Sequence, residues 1–226
     1  MDYLQFAYPK YEVPLLQAYD GRFEAAFIAL HPFFRMPADV CWKDRSIEYP
    51  DAHLIRQYGQ PVYWQKVMEA INCNDIRRFY IGMRTSIGAW NEEYKDSEIA
   101  GRISEYNDQC NIYYPTEGRI EPLLVESIAR YLCLEKADNI LYLAEFEKEP
   151  EELSAKEVIY RCDERFMRGS LFNSSLTRLA TVDWDDFFTV IYGSAQELFL
   201  FLKNNPLEGF FCDRETLHTW IWQKRA

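Results

Sequence analysis

Three carboxylates fall within four residues at Asp183, Asp185 and Asp186, and Glu208 and Asp213 add two more acidic groups downstream. Carboxylates that converge can ligate Mg²⁺ or Ca²⁺, or can raise one another's pKa enough to carry a proton. The bland alternative is a set of turn-forming aspartates ahead of a strand, because Asp readily hydrogen-bonds its own backbone. The acidic groups are interleaved with aromatic ones, and that mixture also suits docking to a basic protein, with aromatics as desolvated anchors and carboxylates as steering charges. On this reading Trp184, Phe211, Trp220 and Trp222 are the anchors, and Asp185, Asp186, Glu208 and Asp213 form the rim.

A second constellation is Arg84, Thr85 and Ser86, set between Gly82 and Gly88 after an apolar run. A guanidinium, two hydroxyls and flexible backbone are the donors that hold a phosphate or carboxylate. A structural turn placing Arg84 against one of the many carboxylates explains the same residues, and the segment is neither a Walker A loop nor a dinucleotide fingerprint. The histidines, His31, His53 and His218, are too widely spaced for HExxH or any other metal spacing. His31 and His218 are the proton carriers to consider beside Arg84 if a pocket forms there. Cys212 has an imidazole near it in sequence, but the adjacent Asp213 disfavours a thiolate, so an inert thiol is expected. No GxSxG elbow occurs; Ser194 is better used as a helix cap. No catalytic residue, metal ligand set or cofactor is read from the spacing.

The elements that must position these groups begin with legible signals. Ser154 with Glu157 forms a capping box, with Leu153 and Val158 as a hydrophobic staple, so a helix starts at Ala155 and buries Val158, Ile159, Cys162 and Phe166. A second box, Ser194 with Glu197, opens a helix over 195–203 that Asn204, Asn205 and Pro206 stop. Pro61 and Pro122 each suit a first helical turn. Asp96 or Ser97 caps a helix using Ile99, Ile103 and Tyr106. Residues 22–30 fit a helix, with a short strand over 27–30 as the alternative. Strands are expected over 79–83, 111–114, 140–146 and 187–192, the third nearly continuous in apolar residues, as for a strand covered on both faces. This alternation predicts an α/β or mixed α+β fold: one layered domain over 1–226 with a central mixed sheet of about four to six short strands and about six helices. Residues 1–20 read as an irregular N-terminal segment.

Of the 226 residues, 48% are hydrophobic and 16% aromatic, ample for a core. The net charge of -11 repels phosphate backbones and anionic lipid and attracts basic protein surfaces, so nucleic acid and membrane are not expected partners. No apolar run approaches the roughly 20 residues that span a bilayer. The six cysteines are scattered without a CxxC pair, and the N-terminus lacks a secretory pattern, which points to reduced thiols in the cytoplasm.

Leu30-His31-Pro32-Phe33-Phe34, Arg84-Thr85-Ser86-Ile87-Gly88 and Leu207-Glu208-Gly209-Phe210-Phe211-Cys212-Asp213 together resemble an uncharacterised family of small cytosolic proteins from Bacillus-type bacteria. That resemblance implies a bacterial cytoplasmic protein and assigns no catalytic residue. In composition alone the chain is also similar to bacterial immunity proteins, acidic and aromatic-rich inhibitors of basic toxins.

The leading expectation is therefore a non-enzymatic module that binds a basic protein partner through its acidic-aromatic C-terminal surface. The alternative is a hydrolase or transferase with a pocket between Arg84 and the C-terminal carboxylates. A third reading has exposed aromatics forming a homodimer interface.

Overall fold

The computed structural model describes residues 3–6, 8–10, 12–38, 49–89, 92–133, 139–164 and 167–221. Trp222, Cys41 and Phe166 lie outside them. Seven α-helices and ten strands occur among the described residues, in two antiparallel sheets.

The large sheet joins β1 (Ala25–Leu30), β5 (Ile140–Ala144), β6 (Glu151–Leu153), β7 (Gly169–Asn173), β8 (Leu179–Val182), β9 (Phe188–Gly193) and β10 (Gly209–Phe211) in the order β10-β1-β9-β8-β7-β5-β6. Its central strands are buried on both faces, so β1, β7, β8 and β9 lack polar alternation. Helices cover both faces. On one side Trp64, Phe79, Tyr80, Met83, Ile99 and Ile103, from α2 (Trp64–Ala70), α3 (Ile76–Ser86) and α4 (Ser97–Cys110), pack with Ile28, Val190 and Tyr192. On the other, α5 (Pro122–Leu132), α6 (Ala155–Glu164) and α7 (Ala195–Asn204) bury Val125, Ile128, Val158 and Leu198 against Phe27, Ala180 and Ile191.

The small sheet sets β2 (Phe33–Arg35) between β3 (Gln60–Val62) and β4 (Ile112–Tyr113), and α1 (Ala52–Tyr58) shares a minor core with it through Ile55, Phe34 and Met36. Residues 3–20 carry two short 3-10 turns and a single bridge from Pro14 to Leu217.

Several expectations are corrected. The sheet is antiparallel rather than mixed, and seven-stranded rather than four- to six-stranded. Residues 25–30 form strand, not helix, because pairing with β9 and β10 on both edges overrides a helical periodicity. Residues 79–83 are helical: α3 is capped by Asp75, which accepts hydrogen bonds from the Arg77 and Arg78 N–H groups, and Phe79, Tyr80 and Met83 are all buried, hence the strand-like apolar run. Pro61 sits in an edge strand, where its missing N–H is tolerated, and α2 starts three residues later.

Candidate functional site

One end of the large sheet collects most of the ionisable groups of the interior. Antiparallel pairing of Gly169 with both Val182 and Ala144, and of Leu30 with Phe188, brings the ends of five strands to the same side. His31 leaves β1 there, Glu145 leaves β5, Arg168 precedes β7, and the five-residue turn Asp183 to Phe187 joins β8 to β9. Asp185 makes that turn with a positive φ of 57°, a conformation Asp tolerates better than most residues. The loop over 116–121 lies directly on it. Gly118 donates its N–H to the Asp186 carbonyl at 2.8 Å, and a Cβ on Gly118 would stand 3.1 Å from the Asp185 nitrogen.

Two further segments complete the cluster. Tyr80 and Arg84 are one helical turn apart and share a face of α3. The Tyr80 hydroxyl donates to Asp186 Oδ1 at 2.5 Å, and Arg84 Nη1 and Nη2 lie 3.6 Å from Asp186 Oδ1 and 3.4 Å from Asp185 Oδ2. His218 arrives on the C-terminal segment, held where Leu15 N–H bonds to the Thr216 carbonyl and where its ring packs on Phe188. Its Nε2 is 3.1 Å from Asp186 Oδ2 and 3.9 Å from Asp183 Oδ2. All three side chains are buried. Burial alone would lower the His218 pKa, but the adjacent Asp186 and Asp183 carboxylates outweigh it and leave it raised.

At the same end of the sheet, a surface cleft of about 530 Å³ is lined by Glu145, Arg168, Glu151 and Arg161, among others, and by none of Arg84, Asp183, Asp186 and His218. Burial and the charges of Glu145 and Asp183 push the Tyr8 phenol up to about 12. Glu117 is raised by burial and by Asp185. At the rim, Phe146 and Trp184, 84% and 52% exposed, meet edge to face.

The sequence-predicted residues divide sharply. Arg84, Asp185, Asp186 and His218 are brought together. Asp186 is buried, so it is no part of an exposed rim. His31 bonds through Nδ1 to the Thr116 carbonyl at 3.0 Å and through Nε2 to Thr189 Oγ1 at 2.8 Å; burial lowers its pKa to about 4 and keeps it neutral, so it pins the 116–121 loop instead of moving protons. The Thr85 and Ser86 hydroxyls bond back to the Ile81 and Gly82 carbonyls of their own helix, so neither is a loop donor for a ligand. Glu208 caps α2 from across the chain, accepting from Trp64 N at 2.5 Å and Gln65 N at 2.8 Å. Asp213 closes a local turn with Thr216 and Glu215. Trp220 is buried against Tyr80, Phe188 and Phe210 and cannot anchor a partner. Phe211, 47% exposed, lies on β10 at the sheet edge. His53 is an exposed residue of α1. Burial pushes the Cys212 thiol up to about 12, with Asp213 adding to it, which keeps it inert.

Tyr80, Glu117, Glu145 and Arg168 went unread in the sequence. The signal for Tyr80 was its i, i+4 spacing from Arg84, visible only once 76–86 is read as a helix from its Asp75 cap.

Comparison with known proteins finds relatives along most of the chain. The Bacillus subtilis (strain 168) "Uncharacterized protein YwbB" is 24% identical over 217 residues, spanning 92% of this chain and 95% of that protein. No solved structure matches the chain. The match to the family described as "Protein of unknown function (DUF2711)" runs over residues 11–222 and includes Tyr80, Arg84, Asp183, Asp186 and His218, so the chain belongs to the DUF2711 family.

Proposed function

We propose that the chain is a small-molecule enzyme whose site lies at this end of the large sheet, with a small anionic metabolite held by Arg84 beside Asp185. The observation that carries this reading is the convergence of Arg84, Asp183, Asp186 and His218 from three separate segments into a largely buried group. Desolvating each such ion costs several kcal/mol, and an apolar core of the same shape would avoid that cost. Functional sites are where folds retain such arrangements. Cys73, Cys110 and Cys212 stand as thiols, which supports a cytoplasmic setting. Among the described residues, no helix is long and apolar enough to cross a membrane.

The test is a thermal-shift panel of phosphorylated and carboxylated metabolites. At 100 times its Kd a true ligand stabilises by about 2.7 kcal/mol, or roughly 5–10 °C at this chain length. Arg84→Lys, which keeps the charge and loses the planar fork, should remove most of that shift. If no anion stabilises the protein, or if Arg84→Lys responds like wild type, the reading fails.

A second reading, docking of a basic protein, is favoured by the exposed Phe146–Trp184 pair next to Asp185. Trp184→Ala would then weaken the complex while leaving the Arg84-dependent shift intact. If a second copy of the chain covers the pair instead, light scattering will report a dimer that Trp184→Ala dissociates.

A further inference from the structure

Each of the two buried aspartates at this site accepts an N–H or O–H bond at Oδ1 and has its Oδ2 within 4 Å of His218 Nε2. Trp184 N–H donates to Asp183 Oδ1 at 2.7 Å, and Tyr80 O–H donates to Asp186 Oδ1 at 2.5 Å. The Oδ2 atoms face His218 Nε2, at 3.9 Å from Asp183 and 3.1 Å from Asp186. All three ligand atoms lie within 4.8 Å of one another. This is the division of labour found around metal ions, where outer hydrogen bonds fix one carboxylate oxygen and the metal takes the other.

A second observation is the under-coordination of Asp186. Its Oδ2 is buried and accepts no hydrogen bond of sound geometry, its nearest partner being His218 Nε2 in an ion pair at 3.1 Å. A buried carboxylate oxygen normally accepts well-aligned bonds, and a cation between the two groups would complete its coordination.

We propose that Asp183, Asp186 and His218 are the three protein ligands of a divalent first-row metal ion. At metal–ligand distances of about 2.1 Å a tetrahedral site has ligand–ligand edges of about 3.4 Å; the observed edges of 3.1 and 3.9 Å bracket that value. Charge agrees as well: Asp183, Asp185 and Asp186 against Arg84 leave two negative charges for a divalent ion with a neutral imidazole. One imidazole with two carboxylates suits Zn²⁺ or Mn²⁺ better than Ca²⁺, which takes oxygen ligands alone. Three protein ligands leave at least one position open, the arrangement of catalytic sites. Arg84, beside Asp185 and Asp186, is placed to hold an anionic ligand near that position. The proposal rests on the small-molecule reading for its purpose, but its test requires no metabolite.

The intact chain, stripped with chelator and dialysed, is titrated with Mn²⁺ and separately with Zn²⁺ by calorimetry. One ion per chain should bind saturably. Asp183→Asn and His218→Gln should each abolish binding, and Tyr80→Phe, which keeps all three ligands, should weaken it roughly 10- to 100-fold. Glu69→Gln, an exposed carboxylate on α2, should bind as wild type. Circular dichroism and urea unfolding establish which variants are folded, and Tyr80→Phe carries the test if a ligand variant is not. Absence of saturable binding, or affinity unchanged in folded His218→Gln and Tyr80→Phe, overturns the proposal. Binding of the ion without any stabilising anion would overturn only the metabolite reading; an Arg84-dependent metabolite without ion binding would overturn only this one.

Discussion

Glu121 is a fully buried carboxylate, and its titration makes a separable contribution to the pH dependence of the fold's stability. It stands at the N-cap of α5, fully buried, and accepts from Thr116 N at 3.0 Å, Thr116 Oγ1 at 2.7 Å and Leu123 N at 3.4 Å. The three donors favour the ionised form, but burial outweighs them and carries its pKa from 4.5 to about 7. Below the unfolded value both states hold the proton. Between 4.5 and 7 the unfolded chain has released it and the fold still retains it, so stability falls as pH rises through this window and levels off above it. At about 1.4 kcal/mol per tenfold change in proton affinity, the loss is about 3 kcal/mol. Glu121→Gln keeps a neutral side chain, and its carbonyl can take both Thr116 bonds, which converge on one carboxylate oxygen. Urea unfolding of both proteins from pH 4.5 to 8 measures the difference. His31, with its pKa lowered to about 4, titrates in both proteins and cancels. Wild type should lose about 3 kcal/mol relative to Glu121→Gln across the window; parallel curves would refute the argument from burial.

Three stability predictions separate structural from surface roles. Glu208→Ala removes both bonds that cap α2 and should cost about 2 kcal/mol, read as a fall in Tm of roughly 4–8 °C, where a mere steering charge would leave Tm unmoved. Gly193→Ala puts a Cβ 1.9 Å from the Tyr131 hydroxyl and should cost about 1–3 kcal/mol by overpacking. By contrast, Gly101→Ala, on an open face of α4, should gain up to about 1 kcal/mol in the same denaturation assay.

Local signals in the sequence carried real structural information where the physics is local. The Ser154–Glu157 box closes reciprocally, with Ser154 N–H donating to Glu157 Oε2 at 2.7 Å and Glu157 N–H to Ser154 Oγ at 3.3 Å, and α6 begins at Ala155 as the staple predicts. Ser194 and Glu197 do the same for α7, and Asp96 caps α4. What failed was whatever depends on neighbours distant in the chain. Residues 25–30 become strand because β9 and β10 pair with them, and 79–83 are helical because the Asp75 cap opens a helix whose buried Phe79, Tyr80 and Met83 pack on the sheet. At the site, the sequence singled out Arg84, Asp186 and His218 but could not join them. They meet because α3 packs over the β8–β9 turn and because the C-terminal segment returns past β9, and neither fact is encoded in spacing. Trp220 drops out of the expected docking surface for a related reason: Trp184 and Trp220 look alike in one dimension, yet one is half exposed and the other is packed against Tyr80 and Phe188.

The most direct test of the site is anomalous diffraction from crystals of the intact chain grown with Mn²⁺. The account predicts a single strong peak within coordination distance of Asp183 Oδ2, Asp186 Oδ2 and His218 Nε2, with Arg84 beside it. Saturating Mn²⁺ with no peak there, and His218 Nε2 joined to Asp186 Oδ2 by an ordinary well-aligned hydrogen bond, would contradict it.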